Sequence, residues 1–261
     1  MKQFRFGILG AGGIAHKFCN AVSKVDDACV AAVASKDQKR AWRFAKRHGI
    51  EDFYSDYEQL LVREDIDAVY IATTHNFHYE NIIACLEHNK PVLCEKSMVP
   101  TAAQAQEIFS LAKEKGLFVM EAMWSRFLPH INQARQWIKE GRIGSLEAAA
   151  CTIGFSASRD PAHRINNPEL GGGAAYDIGV YAIELTTYLI DEPVIDVQSM
   201  LTRSETGVDK TDSILLRFPS CTAKFTGDDR RHRAGGALHL WLRGVYPDPP
   251  GTLLTLLHTL Q

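Results

Sequence analysis

The segment Gly10-Ala11-Gly12-Gly13-Ile14-Ala15 has the spacing G-x-G-x-x-A. That spacing cradles a pyrophosphate when a strand precedes it and a helix follows. Residues 4–9 are a short apolar run that reads as a buried strand, and residues 14–24 read as a helix. Gly10 would permit the tight turn, Gly12 would let the backbone approach the phosphates, and Ala15 would let helix and strand pack closely. The helix start, with Gly13 and Ile14, would offer N–H groups and the positive end of the helix dipole. A plain glycine-rich turn is the alternative. Sites for NAD usually place an acid near the end of the second strand, for the ribose 2′-hydroxyl. Here Ala34 holds that place and Ser35-Lys36-Asp37 follow. Ser35 as a donor and Lys36 as a cation suit a 2′-phosphate, hence NADP. Asp37 keeps NAD open, and Ser35 as the cap of the next helix is the plainer reading.

Cys94-Glu95-Lys96-Ser97 follows another short apolar run, at the carboxyl edge where ligands bind in parallel α/β sheets. A lysine there is placed to act on a substrate beside a nicotinamide, although a lone lysine is more often solvated. Thr73, His75 and His78 follow the strand ending at Ala72, at the same edge. His75 and His78 either line a cofactor or substrate pocket or begin a surface helix. They have no third ligand at metal-like spacing, so zinc is not expected.

These residues need a frame. Residues 29–34, 68–72, 91–94 and 117–120 read as further strands, and residues 39–48, 76–88 and 102–115 as helices. Gly49 and Gly116 stand where helices commonly stop. Continuous apolar strands alternating with helices imply a parallel sheet buried on both faces. After Gly144 the rhythm changes. Residues 146–155 read as a longer strand, 156–173 as a polar loop and 174–189 as a helix. Residues 194–203, 213–218 and 222–226 then read as strands with no helices between them. The fold class is therefore α/β: a doubly wound Rossmann sheet over residues 1–124, then an α+β domain with an open, mainly antiparallel sheet over 125–227. Residues 228–261 form an atypical tail.

Composition sets the limits. The chain has 261 residues, 46% hydrophobic and 23% charged, with a net charge of −2. That balance gives no reason to expect nucleic acid or an anionic membrane as partner. The six scattered cysteines include no C-x-x-C pair, which favours reduced thiols in a cytoplasmic protein. Four glycines within residues 6–15 argue against a leader peptide, and no apolar run approaches the ~20 residues of a membrane span.

Several separated motifs carry a resemblance. Glu95-Lys96 is similar to the Glu-Lys-Pro signature of the glucose–fructose oxidoreductase and inositol dehydrogenase family. Gly171-Gly172-Gly173-Ala174-Ala175-Tyr176-Asp177-Ile178-Gly179-Val180-Tyr181 resembles its second signature. Met120-Glu121-Ala122-Met123-Trp124-Ser125-Arg126-Phe127, His75 with His78, and Glu205-Thr206-Gly207-Val208-Asp209 are similar to its branch of dimeric dihydrodiol dehydrogenases and NADP-dependent D-xylose dehydrogenases. The resemblance covers about residues 4–227. It implies a Rossmann domain followed by an open sheet, catalysis by Lys96 and Tyr181, and substrate positioning by Asp177. It also implies Thr73, Glu95, Trp124 and Arg126 beside the cofactor, an aldose, polyol or trans-diol as substrate, and a homodimer. Ser97 departs from the usual proline, and Tyr176 from a more usual aliphatic residue.

The implied chemistry is sound. Oxidising an alcohol removes a hydroxyl proton while hydride leaves for the nicotinamide. A free tyrosine has a pKa of ~10, too high for a good base at neutral pH. A nearby Lys96 ammonium would favour the phenolate, so the pair could shuttle a proton. Asp177 lies four residues before Tyr181, so on a helix both face one way. Competing readings are reduction of a sugar-like ketone or imine, and a non-catalytic NADP-binding sensor. The resemblance stops near Gly227. Then come a charge run at 228–233, a possible strand at 238–242, a Pro-rich breaker at 247–251 and an apolar stretch at 253–260 without an obvious partner. The expectation is an altered or frame-shifted end that leaves the second sheet incomplete. The alternative is a divergent end that still pairs as strands.

Overall fold

The computed structural model describes residues 3–154, 158, 160–228, 236–245 and 252–260. The expected strand end at Phe155, most of the charge run and the Pro-rich breaker lie outside them. The chain divides into two compact units, Met1–Ala122 and Met123–Gln261, so Trp124 belongs to the second.

In the first unit the elements run β1 (Phe4–Leu9), α1 (Gly13–Val22), β2 (Ala28–Ala34), α2 (Gln38–His48), β3 (Asp52–Tyr54), α3 (Tyr57–Leu61), β4 (Ala68–Ile71), α4 (His78–Glu87), β5 (Val92–Cys94), α5 (Ala102–Lys115) and β6 (Val119–Glu121). The strands form one parallel sheet in the order β3-β2-β1-β4-β5-β6. The chain winds outward from β1 in one direction and from β4 in the other. Neighbouring loops therefore part at the carboxyl ends of β1 and β4, which opens a crevice there. Both faces are packed, as the apolar runs require. Leu9 and Ile71 join one buried cluster with Ile82, Leu86 and Ile108, whereas their neighbours Ile8 and Tyr70 join another with Val33 and Phe44. This is the alternation of a strand buried on both sides. Helix α2 begins at Asp37, whose carboxylate accepts a hydrogen bond from the Arg40 N–H. Asp37, not Ser35, is thus the cap. Gly49 and Gly116 close α2 and α5 as expected.

Helices α1 and α2 meet at His16, Phe44 and His48. His16 Nδ1 lies 2.6 Å from His48 Nε2, and both rings pack on Phe44. Burial first, then neighbouring charge from Arg47 and, for His48, from His16, pushes both imidazoles below their ordinary value of 6.5. A lowered folded value favours the neutral ring, so this contribution to stability is complete above about pH 6.5 and is lost as pH falls through the lowered value. Thermal melts between pH 5 and 7.5 should therefore show a slope that His48→Gln flattens. An unchanged slope would remove the pair from the acid response.

The second unit contains α6 (Pro129–Lys139), β7 (Ser145–Gly154), α7 (Val180–Ile190), β8 (Asp196–Arg203), β9 (Asp209–Arg217), β10 (Thr222–Asp228), β11 (Gly236–Val245) and β12 (Thr252–Leu260). They build a sheet in the order β12-β11-β7-β10-β9-β8. Strands β7 and β10 run parallel and the other neighbours antiparallel, so the sheet is mixed. Ile131, Cys151, Ile153, Leu185, Leu189, Leu216 and Phe225 form the core between the sheet and helices α6 and α7. The tail corrects one expectation. Residues 253–260 do have a partner: β12 pairs with β11, and β11 pairs with β7. Leu242 of β11 is buried in the same core. No helix among the described residues is long and apolar enough to cross a membrane.

Candidate active site

The glycine loop opens the crevice of the first unit. Gly10 has φ +98°, and a Cβ there would stand 2.7 Å from the Ala72 carbonyl oxygen, so only glycine fits. Gly12 caps α1 without any side-chain hydrogen bond. A Cβ on Gly12 would meet only the Ala72 oxygen at 3.9 Å, and one on Gly13 would meet nothing within 4 Å. The first N–H groups of α1 have no partners within the helix, as at any helix start. Open backbone at Gly12, Gly13 and Ile14, over a positive dipole end, fits a pyrophosphate. Ala15 is fully buried, which allows the close helix–strand packing.

At the end of β2, Ser35 is buried and its N–H donates to the Tyr54 carbonyl. Lys36 is exposed and its ammonium lies over the Phe77 ring, 5.0 Å from the centroid. The Asp37 carboxyl is held below its usual range chiefly by the hydrogen bond from the Arg40 N–H. Its bonding is therefore directed at α2.

The turn carrying Lys96 is braced from several sides. The Glu95 N–H donates to Ile71 O, and the buried Glu95 carboxylate accepts from the Tyr70 hydroxyl at 2.5 Å. Burial pushes both Glu95 and Tyr70 upward. The Lys96–Ser97 peptide is cis. The Met98 N–H donates to Glu121 Oε1 at 2.7 Å. His78 is 0% exposed. Its Nδ1 lies 2.9 Å from Ser97 O and its Nε2 3.1 Å from Thr73 O, so the ring ties the lysine turn to the end of β4. Burial lowers its pKa. A fully buried ring with carbonyls at both nitrogens is not part of a surface helix start, and it braces the turn. His75 is also buried, with its ring edge-on to His78. Thr73 Oγ1 accepts from Asn81 Nδ2. Glu95 likewise points into the interior. Tyr70 and Glu121 escaped the sequence reading, although Glu121 lay inside a quoted motif.

In the second unit the Trp124 indole N–H donates to the Tyr181 hydroxyl oxygen at 3.0 Å, and the rings meet edge to face. The Arg126 guanidinium is paired with the buried Glu184 carboxylate, which also accepts from Ser125 Oγ. Asp177 is 5% exposed and accepts from Arg164 at 3.0 Å. It lies in a wide π turn, Ala175–Gly179, that leads into α7. Asp209 Oδ2 accepts from the Ala175 N–H at the start of this turn. Gly173, at φ +124°, has no room for a Cβ beside Asp209. The glycine-rich signature thus meets its distant Asp209 partner, a pairing that linear spacing does not reveal. Arg164 and Glu184 are the charged partners that sequence reasoning missed. No group of three His, Cys, Asp or Glu among the described residues is arranged to hold a metal.

A doubly wound unit with a glycine cradle, followed by a mixed open sheet, defines a dinucleotide-binding oxidoreductase architecture. Residues 4–123 match the oxidoreductase family with an NAD-binding Rossmann fold, and residues 131–242 match the GFO/IDH/MocA C-terminal domain. The chain belongs to the GFO/IDH/MocA oxidoreductase family. It is 37% identical over 218 residues to trans-1,2-dihydrobenzene-1,2-diol dehydrogenase of Mus musculus, covering 82% of this chain and 65% of that protein. It is 35% identical over 242 residues to the NADP(+) D-xylose 1-dehydrogenase of Hypocrea jecorina, covering 82% and 62%. The chain thus spans just under two thirds of the length of these relatives. In fold it is similar to GenD2 from gentamicin A biosynthesis, solved in complex with NAD, with a TM-score of 0.90 at 18% identity over 98% of this chain and 73% of that one.

Proposed function

We propose that the protein is an NADP-dependent dehydrogenase that moves hydride between the nicotinamide and a secondary alcohol or hemiacetal of an aldose or trans-diol. The braced presentation of Lys96 at the carboxyl end of β5, the ligand edge of the sheet, carries this reading. A ligand-edge lysine held by buried groups is costly to build unless its position matters. NADP, when bound, supplies the hydride acceptor. Gly10, Gly12, Gly13 and Ile14 would hold its pyrophosphate, and Lys36 its 2′-phosphate. Lys96 and Tyr181 would exchange the hydroxyl proton, and Asp177, oriented by Arg164, would accept a hydrogen bond from a neighbouring hydroxyl. The relatives named for a dihydrodiol and for D-xylose support the substrate class. The buried free thiols favour a reducing compartment such as the cytoplasm. The homodimer implied by the family resemblance belongs to the same proposal.

NADP is preferred because Ala34 stands where an acid would bind the ribose, Asp37 is engaged by α2, and Lys36 is exposed. Titration of the purified protein should give tighter binding of NADP than of NAD. Lys36→Ala should weaken NADP about 10–100-fold, the loss of one charge-assisted contact, and leave NAD nearly unchanged. Equal losses for both cofactors would overturn the assignment. NADPH formation, screened against aldoses, inositols and trans-dihydrodiols, tests the activity. No turnover with any of these classes would count against it.

A further inference from the structure

We infer that Phe77 sets cofactor preference by positioning Lys36: the face of its ring holds the ammonium in place for a 2′-phosphate. This rests on the reading of Lys36 as the phosphate-binding cation. Lys36 follows β2 and Phe77 follows β4, and β1 lies between those strands. The 5.0 Å contact between them therefore spans the carboxyl end of β1, where the glycine loop begins. That is the crevice in which a dinucleotide lies in this kind of sheet.

The face of the ring is available for this contact. Phe77 is 37% exposed. Its backbone is nevertheless fixed. Residues His75–Phe77 form a 3-10 turn, the Phe77 N–H donates to Thr74 O at 3.0 Å, and Thr74 Oγ1 bonds Asn76 Oδ1. His75 and His78, on either side, are buried. A single exposed aromatic ring is ordinary on a protein surface, and Phe118 and Phe127 are more exposed, so what matters is what the ring contacts. Here it faces a cation. A lysine side chain carries considerable rotamer freedom, and ordering it on binding costs affinity. Holding the ammonium against a π face before the cofactor arrives reduces that cost. NAD has no 2′-phosphate, so its binding gains nothing from the arrangement.

The test uses Kd values for NADP and NAD measured by titration on the full chain, with melting curves to verify folding. Phe77→Leu keeps the bulk but removes the π face. It should weaken NADP about two- to five-fold, the range of an exposed cation–π contact, and leave NAD unchanged. Phe77→Tyr, which keeps the ring, should retain the wild-type preference. In a Lys36→Ala background, Phe77→Leu should have no further effect on NADP, because the ring then has no ammonium to hold. Equal weakening of both cofactors by Phe77→Leu would overturn the inference and mark the ring as a direct contact to a part they share. So would unchanged NADP affinity in Phe77→Leu when Lys36→Ala lowers it. If Lys36→Ala itself leaves the preference unaltered, the NADP assignment fails and the role of Phe77 falls with it.

Discussion

Lys96→Ala and Tyr181→Phe should each lower turnover by about 10²–10⁴-fold, the usual contribution of a general acid–base group, and leave the Kd for NADP close to wild type. The two losses arise differently. Lys96 is presented by a turn whose flanking peptides are tied to His78 and Glu121, with Glu95 anchored by Tyr70. Its removal takes away a cation without loosening these braces, so the first unit should melt normally. The Tyr181 hydroxyl oxygen accepts the Trp124 indole N–H. An N–H donor aimed there would steady negative charge when the phenolic proton leaves. Tyr181→Phe keeps the ring and loses only the proton-bearing atom. Rates are read from NADPH absorbance and cofactor binding from titration. Wild-type turnover in Tyr181→Phe would refute the proposed base. Loss of NADP binding in Lys96→Ala would instead make the lysine a cofactor ligand.

The parts legible in the sequence share a physical trait: their signals are local. Buried parallel strands such as β4 must be apolar throughout, and glycine after a helix marks its end, so β1, β2, α2 and α5 are readable within a residue or two. Elements β3 and α3 are only a few residues long, too short for a period to emerge from the polar residues around them. Helix α6 (Pro129–Lys139) lies where the sequence reading placed only a change of domain. Its buried Ile131 and Ala134 stand at helical spacing, and the proline is at the helix start, where its missing N–H costs nothing. The site divides in the same way. The glycine cradle and Lys96 announce themselves by type and place. Glu121, Tyr70, Arg164 and Glu184 do not, because a brace is defined by a partner distant in sequence. The partners of His78 are equally hidden from the linear sequence. Histidine at a ligand edge invites a functional reading, and only full burial with carbonyls at both nitrogens shows the ring to be part of the frame. The pairing of residues 253–260 is not legible for the same reason, because a strand partner such as β11 cannot be read from an apolar run alone.

Gly10→Ala and Gly13→Ala, one methyl group each and three residues apart, should have opposite effects on stability. At Gly10 the backbone has φ +98°, and the new Cβ would lie 2.7 Å from Ala72 O and 2.8 Å from Ala72 C. Both obstacles are backbone. Neither can yield easily, because the Ala72 N–H bonds Leu9 O and the Gly10 N–H bonds Ala34 O, which ties three strands together. The left-handed conformation costs roughly 1–2 kcal/mol and overpacking roughly 1–3 kcal/mol, so a loss of about 2–5 kcal/mol is expected. At Gly13 the backbone is helical and nothing lies within 4 Å of the added methyl. Alanine restricts the unfolded chain and favours the helix, so Gly13→Ala should leave stability unchanged or raise it by up to ~1 kcal/mol. Cofactor affinity should fall in both variants. In Gly10→Ala the loop is displaced. In Gly13→Ala the methyl group occupies the open surface over which the pyrophosphate would pass. Urea unfolding and NADP titration on the same preparations separate the two causes. A Gly13→Ala variant with wild-type NADP affinity would place the pyrophosphate elsewhere. An equally stable Gly10→Ala variant would mean that the strand ends at Leu9 and Ala72 are not as close as the fold requires.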